Sequence, residues 1–245
     1  MNKKHASPAV KETKNNSGTA AVSSSEYKKE LLKYKTDDSR AVLVLDRITS
    51  MLYSDRQKEI RCILTAGLNS GVGATTIAVN LAETIASSGR TVILADANFD
   101  NPCVKSGVKS GLSNFMHGNA SISDIILETN LKNLGFIAAG SAAGDCTQLL
   151  SSDHFKKGIE ELKNLADFVL FDSPPIDRAA AAELLSLRTD GTVLVAGYKI
   201  TTAQQVKTTT AQFEASGANV LGVILNRVPA KKQHKLFKRN NGGNL

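Results

Sequence analysis

The sequence predicts an α/β fold: a three-layer, doubly wound, mostly parallel sheet with helices on both faces. Three observations predict it. From Arg61 onward, short apolar runs alternate with segments of helical period. The runs are rich in Val, Ile, Leu or Phe, as expected of strands buried on both faces. Carboxylates and glycines gather where the runs end, and a sheet of this kind keeps its ligand site at the carboxyl ends of its strands.

The elements follow in order. Residues 1–25 are rich in Lys, Ser, Asn and Ala with few large apolar groups, which predicts a disordered basic arm. Residues 26–60 form a helical lead-in: a short charged helix over 26–35, then Leu43, Val44, Ile48, Met51 and Leu52 at helical intervals, placed to dock on the body. The body spans 61–230. Its strands are expected over 62–66, 91–96, 134–138, 168–172, 192–196 and 220–226. Helices are expected over 75–88, 121–128, 153–165, 179–187 and 203–216. Gly89 and Gly217 follow two of these helices, where a C-terminal glycine belongs. Ser121 and Asp124 have the Ser-x-x-acid spacing of a helix start. Residues 231–245 read as a basic, flexible tail.

Composition bounds the function. At 245 residues and 42% hydrophobic content the chain has room for one sizeable core. No apolar run approaches the ~20 residues of a membrane span, and residues 1–25 lack the apolar stretch of a secretory signal. Cys62, Cys103 and Cys146 have no metal or redox spacing and read as buried thiols of a reducing cytoplasm. The net charge of +7 belongs to the arms: residues 1–60 carry a surplus of four positive charges, residues 231–245 of five, and the body is acidic by two. Such arms suit an anionic membrane surface or an acidic partner. Aromatic and basic residues are not interleaved in a pattern that suggests nucleic-acid stacking, so nucleic acid is not an expected partner.

The most informative stretch is Ser70-Gly71-Val72-Gly73-Ala74-Thr75-Thr76, set between an apolar run and an apolar-periodic helix. Strand, glycine loop and helix have the layout of a phosphate-binding loop, which aims backbone N–H groups and a helix N-terminus at an anion, or else of a tight strand–helix turn. Gly71 and Gly73 let the backbone approach closely. Thr75 is placed to give its hydroxyl to Mg²⁺, and Thr76 to contact phosphate. The lysine usual at the next-to-last step is Ala74 here. Asp96 ends the second strand, where a carboxylate reaches Mg²⁺, its waters or an attacking hydroxyl, or else caps a turn. Asp172 ends Phe168-Val169-Leu170-Phe171 and precedes Ser173-Pro174-Pro175, the setting of a Mg²⁺-holding acid. Asn226 and Arg227 end the last strand, either to pair with and stack on an adenine or as an ordinary turn. The four histidines, His5, His117, His154 and His234, have no ligand-spaced partner.

Taken together, these residues resemble the bacterial tyrosine kinases of capsular and exopolysaccharide biosynthesis, a branch of the deviant P-loop ATPases. The resemblance covers roughly residues 40–233. It rests on the P-loop, on Val92 to Pro102, and on Phe168 to Pro175. It rests also on the text around Gly111-Leu112-Ser113, Gly118-Asn119-Ala120, Leu149-Leu150-Ser151-Ser152, Asp190-Gly191 and Leu221-Gly222-Val223-Ile224-Leu225-Asn226. It implies a P-loop NTPase of the deviant Walker A class that takes ATP or ADP with Mg²⁺ and phosphorylates its own C-terminal tyrosines. It also implies work with a membrane-spanning polysaccharide co-polymerase. By position, Gly71, Val72, Gly73, Ala74, Thr75 and Thr76 would line the phosphates, and Thr75, Asp96 and Asp172 the metal. Asp96 and Asp172 would be the catalytic acids.

The chain departs from that pattern. Ala74 replaces the phosphate lysine, Asn98 replaces a second acid, Asp100 stands where an arginine is usual, and no tyrosine follows Tyr198. Losing a charge-assisted hydrogen bond to phosphate costs about 1.5–3 kcal/mol, roughly 10- to 100-fold in affinity. The expectation is a cytoplasmic protein, peripheral at the inner face of the membrane and able to form homo-oligomers. It would bind nucleotide weakly and act as a regulatory partner rather than a self-phosphorylating enzyme. Two alternatives stay open: a slow ATPase or kinase acting in trans, and a positioning ATPase of the septum or pilus type. Lys105 and Lys109 are candidates to replace the missing lysine.

Overall fold

The computed structural model describes residues 24–35, 45–50, 60–105, 108, 110–141, 146–178 and 180–229. The strands are β1 (Cys62–Gly67), β2 (Val92–Asp96), β3 (Ile126–Glu128), β4 (Leu134–Ile137), β5 (Phe168–Asp172), β6 (Gly191–Gly197) and β7 (Val220–Asn226). They form one sheet in the order β3-β4-β2-β5-β1-β6-β7. Every neighbouring pair is parallel except β3 with β4. The predicted doubly wound, mostly parallel sheet is the observed fold.

Two apolar layers flank the sheet, and the strands alternate between them. On β5, Val169 and Phe171 enter one layer while Phe168 and Leu170 enter the other; on β2, Ile93 and Ala95 oppose Val92 and Leu94. This period-two split with both faces covered is the reason β1, β2, β5 and β6 read as continuous apolar runs. Strand β7, expected to be buried in the same way, is instead a sheet-edge strand with Val223 and Leu225 exposed. Helix α1 (Ser24–Leu32) and helix α2 (Ala74–Ser87) pack on one face through Tyr27, Leu31, Ile77, Leu81 and Ile85. The short helices α3 (Leu112–Met116) and α4 (Ile122–Ile125) lie on the other face. With them lie α6 (Asp153–Leu165), α7 (Ala181–Ser186) and α8 (Ala203–Ala215). A further short helix, α5, covers Cys146–Leu149. Gly89 and Gly217 have φ of 92° and 96°, the left-handed turn expected after α2 and α8.

One helix expectation also fails. Residues 121–128 are not a single helix: α4 stops at Ile125 and β3 begins at once, with Ile126 opposite Ile137 and Glu128 opposite Gly135. Asp124 accepts hydrogen bonds from the Ser121 N–H and hydroxyl (3.2 and 2.6 Å), so the helix start is real. Beyond it, Ile126 packs on one layer and Leu127 on the other, a strand's alternation that a helix cannot supply. Of the arm expected over 1–25, residues 1–23 lie outside the described residues, as do Leu43, Val44, Met51, Leu52 and the tail over 231–245; Ser24 and Ser25, expected to be disordered, belong to α1. Within the lead-in, residues 45–50 are helical, and Leu45 and Thr49 are buried.

Candidate functional site

The glycine loop follows β1, which lies between β5 and β6, so the strands on both sides deliver residues to it. Gly71 (φ 75°) and Gly73 (φ 90°) hold left-handed conformations that L side chains rarely adopt. Gly73 also begins α2 with no side chain capping it. The first-turn N–H groups of that helix lack intrahelical partners by geometry, and the helix dipole makes their end favourable to an anion. The segment is bent and open, as a phosphate cradle requires.

Neighbouring strands pin the loop. The Leu68 N–H donates to Val195 O of β6 (2.9 Å) and the Ile176 N–H donates to Gly67 O (2.9 Å). The Thr201 hydroxyl donates to Asn69 Oδ1 (2.7 Å), and Asn226 Nδ2 donates to Val72 O (2.9 Å). The exposed Asp177 accepts a long bond from the Ser70 N–H (3.4 Å). Ala74, in the lysine's place, is half-buried against the apolar layer that holds α2.

Asp96 and Asp172 are partners in the β2–β5 register and are 1% and 2% exposed. Their surroundings differ. Asp96 accepts from the Asn98 N–H (2.9 Å) and the Cys103 N–H (2.7 Å). Burial pushes its carboxyl up to about 6 against the pull of those bonds and of the Cys103 thiol. Asp172 is pushed well above the usual carboxylate range, first by burial and then by the Asp96 charge. The Thr75 hydroxyl approaches Asp172 and favours its ionised form, but stays short of a full hydrogen bond: neither carboxylate oxygen has a partner among the described residues. Two unpartnered oxygens of a buried carboxylate, beside a threonine hydroxyl and a second carboxylate, are a donor set suited to a hard divalent cation. The residues present therefore fit Mg²⁺.

The structure brings Gly71, Val72, Gly73, Ala74, Thr75, Thr76, Asp96, Asp172 and Asn226 to the same carboxyl edge of the sheet. Arg227 follows Asn226 in a left-handed conformation (φ 61°), with its side chain exposed. Lys105 is exposed and its backbone N–H donates to Glu30 (2.8 Å); Lys109 lies outside the described residues. Asn98 is buried and its side chain accepts from the Asn101 N–H (3.3 Å), so it shapes the turn after β2.

Two site residues escaped sequence reasoning. Cys103 folds back onto Asp96 through the turn closed by Pro102, and burial and the two aspartates push its thiol up. Tyr34, after α1, packs near it. Burial raises this phenol, with further contributions from Cys103, Asp172 and Asp96. Asn80 of α2 fixes the segment by donating to Tyr34 O (2.6 Å), and Lys35 pairs with Glu83 (2.7 Å). A spacing signal existed for Cys103, seven residues after a strand-end acid. None existed for Tyr34, whose position depends on how the lead-in docks.

Fold and site together define a P-loop nucleotide-binding domain, and comparison with known proteins agrees. The family described as the CobQ/CobB/MinD/ParA nucleotide binding domain matches residues 63–241. The tyrosine-protein kinase CpsD of Streptococcus agalactiae is 33% identical over 185 residues, covering 74% of this chain and 80% of that protein. The crystal structure of the chimerical protein CapA2B2 is 26% identical, with a TM-score of 0.71 over 82% of this chain and 91% of the other. The septum site-determining protein MinD of Pyrococcus horikoshii, solved with Mg-ADP, shares the fold at 23% identity, with a TM-score of 0.58 over 72% of this chain and 76% of its own. The chain belongs to the CobQ/CobB/MinD/ParA nucleotide-binding family and, within it, to the bacterial tyrosine kinases typified by CpsD.

Proposed function

We propose that this protein is a P-loop member of a capsular or exopolysaccharide biosynthesis system that binds Mg-ATP or Mg-ADP with a weakened grip. On this reading it phosphorylates itself poorly or not at all and serves as a regulatory partner of a membrane-spanning polysaccharide co-polymerase. One observation carries the reading: the backbone cradle and the acid pair are assembled while the lysine position is alanine. Gly71, Gly73 and the first turn of α2 would hold phosphates through N–H groups. Thr75 and Asp172 would hold Mg²⁺, which when bound neutralises charge developing on transferring phosphate oxygens. Asp96, already held by two N–H donors, would orient water or an incoming hydroxyl. With no lysine at 74, the electrostatic stabilisation of phosphoryl transfer is reduced. No helix among the described residues is long and apolar enough to cross a membrane. Calorimetric titration with Mg-ATP and Mg-ADP, alongside incubation with labelled ATP, tests the reading. Weak binding with no tyrosine phosphorylation is expected, and robust autophosphorylation would sink the regulatory assignment.

The unpartnered Asp172 oxygens favour a second reading, a slow ATPase or kinase acting on another protein. It requires that Asp172→Ala abolish turnover, and turnover that survives the substitution rules it out.

A further inference from the structure

We propose that Asn226 is a positioning residue that fixes the peptide plane of the phosphate loop, and that it does not read the nucleotide base. The inference rests on the nucleotide-binding reading above. Asn226 ends β7, two strands from the loop in the order β1-β6-β7, yet its side chain reaches the loop backbone. Its Nδ2 donates to Val72 O (2.9 Å), and its Oδ1 accepts from the Arg227 N–H (2.8 Å). The second bond fixes which end of the amide is the donor, because an N–H can only face the oxygen. The Tyr198 N–H donates to Asn226 O (2.9 Å) and anchors the strand end. Arg227, whose N–H meets Oδ1, also holds a left-handed conformation (φ 61°), a backbone cost for a residue with a side chain.

Gly73 is shaped to the same arrangement. A Cβ there would lie 2.5 Å from Asn226 Nδ2, so the glycine both turns the chain (φ 90°) and leaves room for the amide. The consequence falls on one peptide. The Val72 carbonyl and the Gly73 N–H belong to the same planar trans unit and point in opposite directions. Holding the carbonyl on Asn226 holds the N–H on the opposite side. A flip of this peptide, easy between glycine-flanked positions, would exchange an N–H for a carbonyl oxygen and spoil an anion cradle. Because Ala74 supplies no cation, the cradle leans more heavily on its backbone donors, and the brace matters more here than in a loop with a lysine.

The test compares the natural protein with Asn226→Ala and Asn226→Asp. The aspartate keeps an acceptor for Arg227 but has no N–H for Val72. Ligands are magnesium tripolyphosphate, which has no base, Mg-ATP and Mg-GTP. Amide hydrogen exchange at Gly73 and Ala74 is followed in the ligand-free proteins. Both variants are expected to weaken tripolyphosphate and ATP by the same factor, roughly three- to tenfold, to leave the ATP-to-GTP ratio unchanged, and to speed exchange at Gly73. Tripolyphosphate affinity that stays constant while ATP weakens, or a changed ATP-to-GTP ratio, would overturn the proposal in favour of base reading. If the natural protein binds no polyphosphate, the nucleotide reading fails separately. Exchange then decides the brace: faster exchange in both variants supports it and unchanged exchange overturns it.

Discussion

Asp96 and Asp172 stand side by side at the carboxyl ends of adjacent parallel strands, equally buried and oppositely provided for. Two backbone N–H groups and a thiol serve Asp96, whereas Asp172 has no partner for either oxygen among the described residues. A buried carboxylate without donors, beside a like charge, costs stability unless it is protonated or meets a cation. The protein carries this cost at the carboxyl edge of the sheet, beside the glycine loop.

Replacing the charge should therefore relieve the cost. Asp172→Asn is expected to stabilise the metal-free protein by about 1–3 kcal/mol at neutral pH and to remove any stabilisation by Mg-nucleotide. Urea unfolding with chelator and with Mg-ADP measures both. A variant less stable than the natural protein in chelator would contradict the geometry.

The same pair sets a pH dependence. The folded-state value of Asp96, about 6, lies above its ordinary 3.8, so the native state keeps a proton that the unfolded chain releases between those values. The contribution of this group to stability is complete below 3.8, declines as pH rises to about 6, and stays lower above that. Asp172, also raised, extends the decline upward. Unfolding free energy of the metal-free protein should fall across this window, and Asp172→Asn should flatten the upper part. A profile that rises with pH through the whole window would refute the assignment.

On the nucleotide-binding reading proposed above, Ala74→Lys supplies the missing phosphate cation at the start of α2. The expected gain in Mg-ATP affinity is roughly 10- to 100-fold, read by calorimetry. Restored binding without tyrosine phosphorylation would agree with the absence of tyrosines after Tyr198. No gain at all would place the defect in the loop rather than in the side chain.

Tyr34 ties the lead-in to the site. Tyr34→Ala should destabilise the fold by about 1–3 kcal/mol and raise hydrogen exchange across residues 24–35. Tyr34→Phe, which keeps the ring, should do much less. Equal effects from both would assign the role to the hydroxyl instead of the packing.

Gly158 tests the apolar layer. In a helix Ala is favoured over Gly by about 1 kcal/mol, but a Cβ here would run into the buried Phe115 ring. Overpacking of this kind costs about 1–3 kcal/mol, so the clash wins and Gly158→Ala is expected to lower the melting temperature.

The sequence by itself determined the strand–helix alternation and the six parallel strands, because short apolar runs and helical periods are local patterns. It placed the glycine loop and the two strand-end acids, since a parallel sheet puts every carboxyl end on one edge. It did not find β3, whose three residues are too few to declare a period and become a strand only against Ile137, Phe136 and Gly135. Nor could it give the roles of Cys103, Tyr34 and Asn226. Those roles depend on which chain-distant atoms meet: a thiol folded onto Asp96, a phenol carried in by the lead-in, and an amide seated against Gly73. Contacts across long separations leave no periodic trace, so only the packed tertiary structure decided which acid is satisfied, which is not, and what holds the loop in shape.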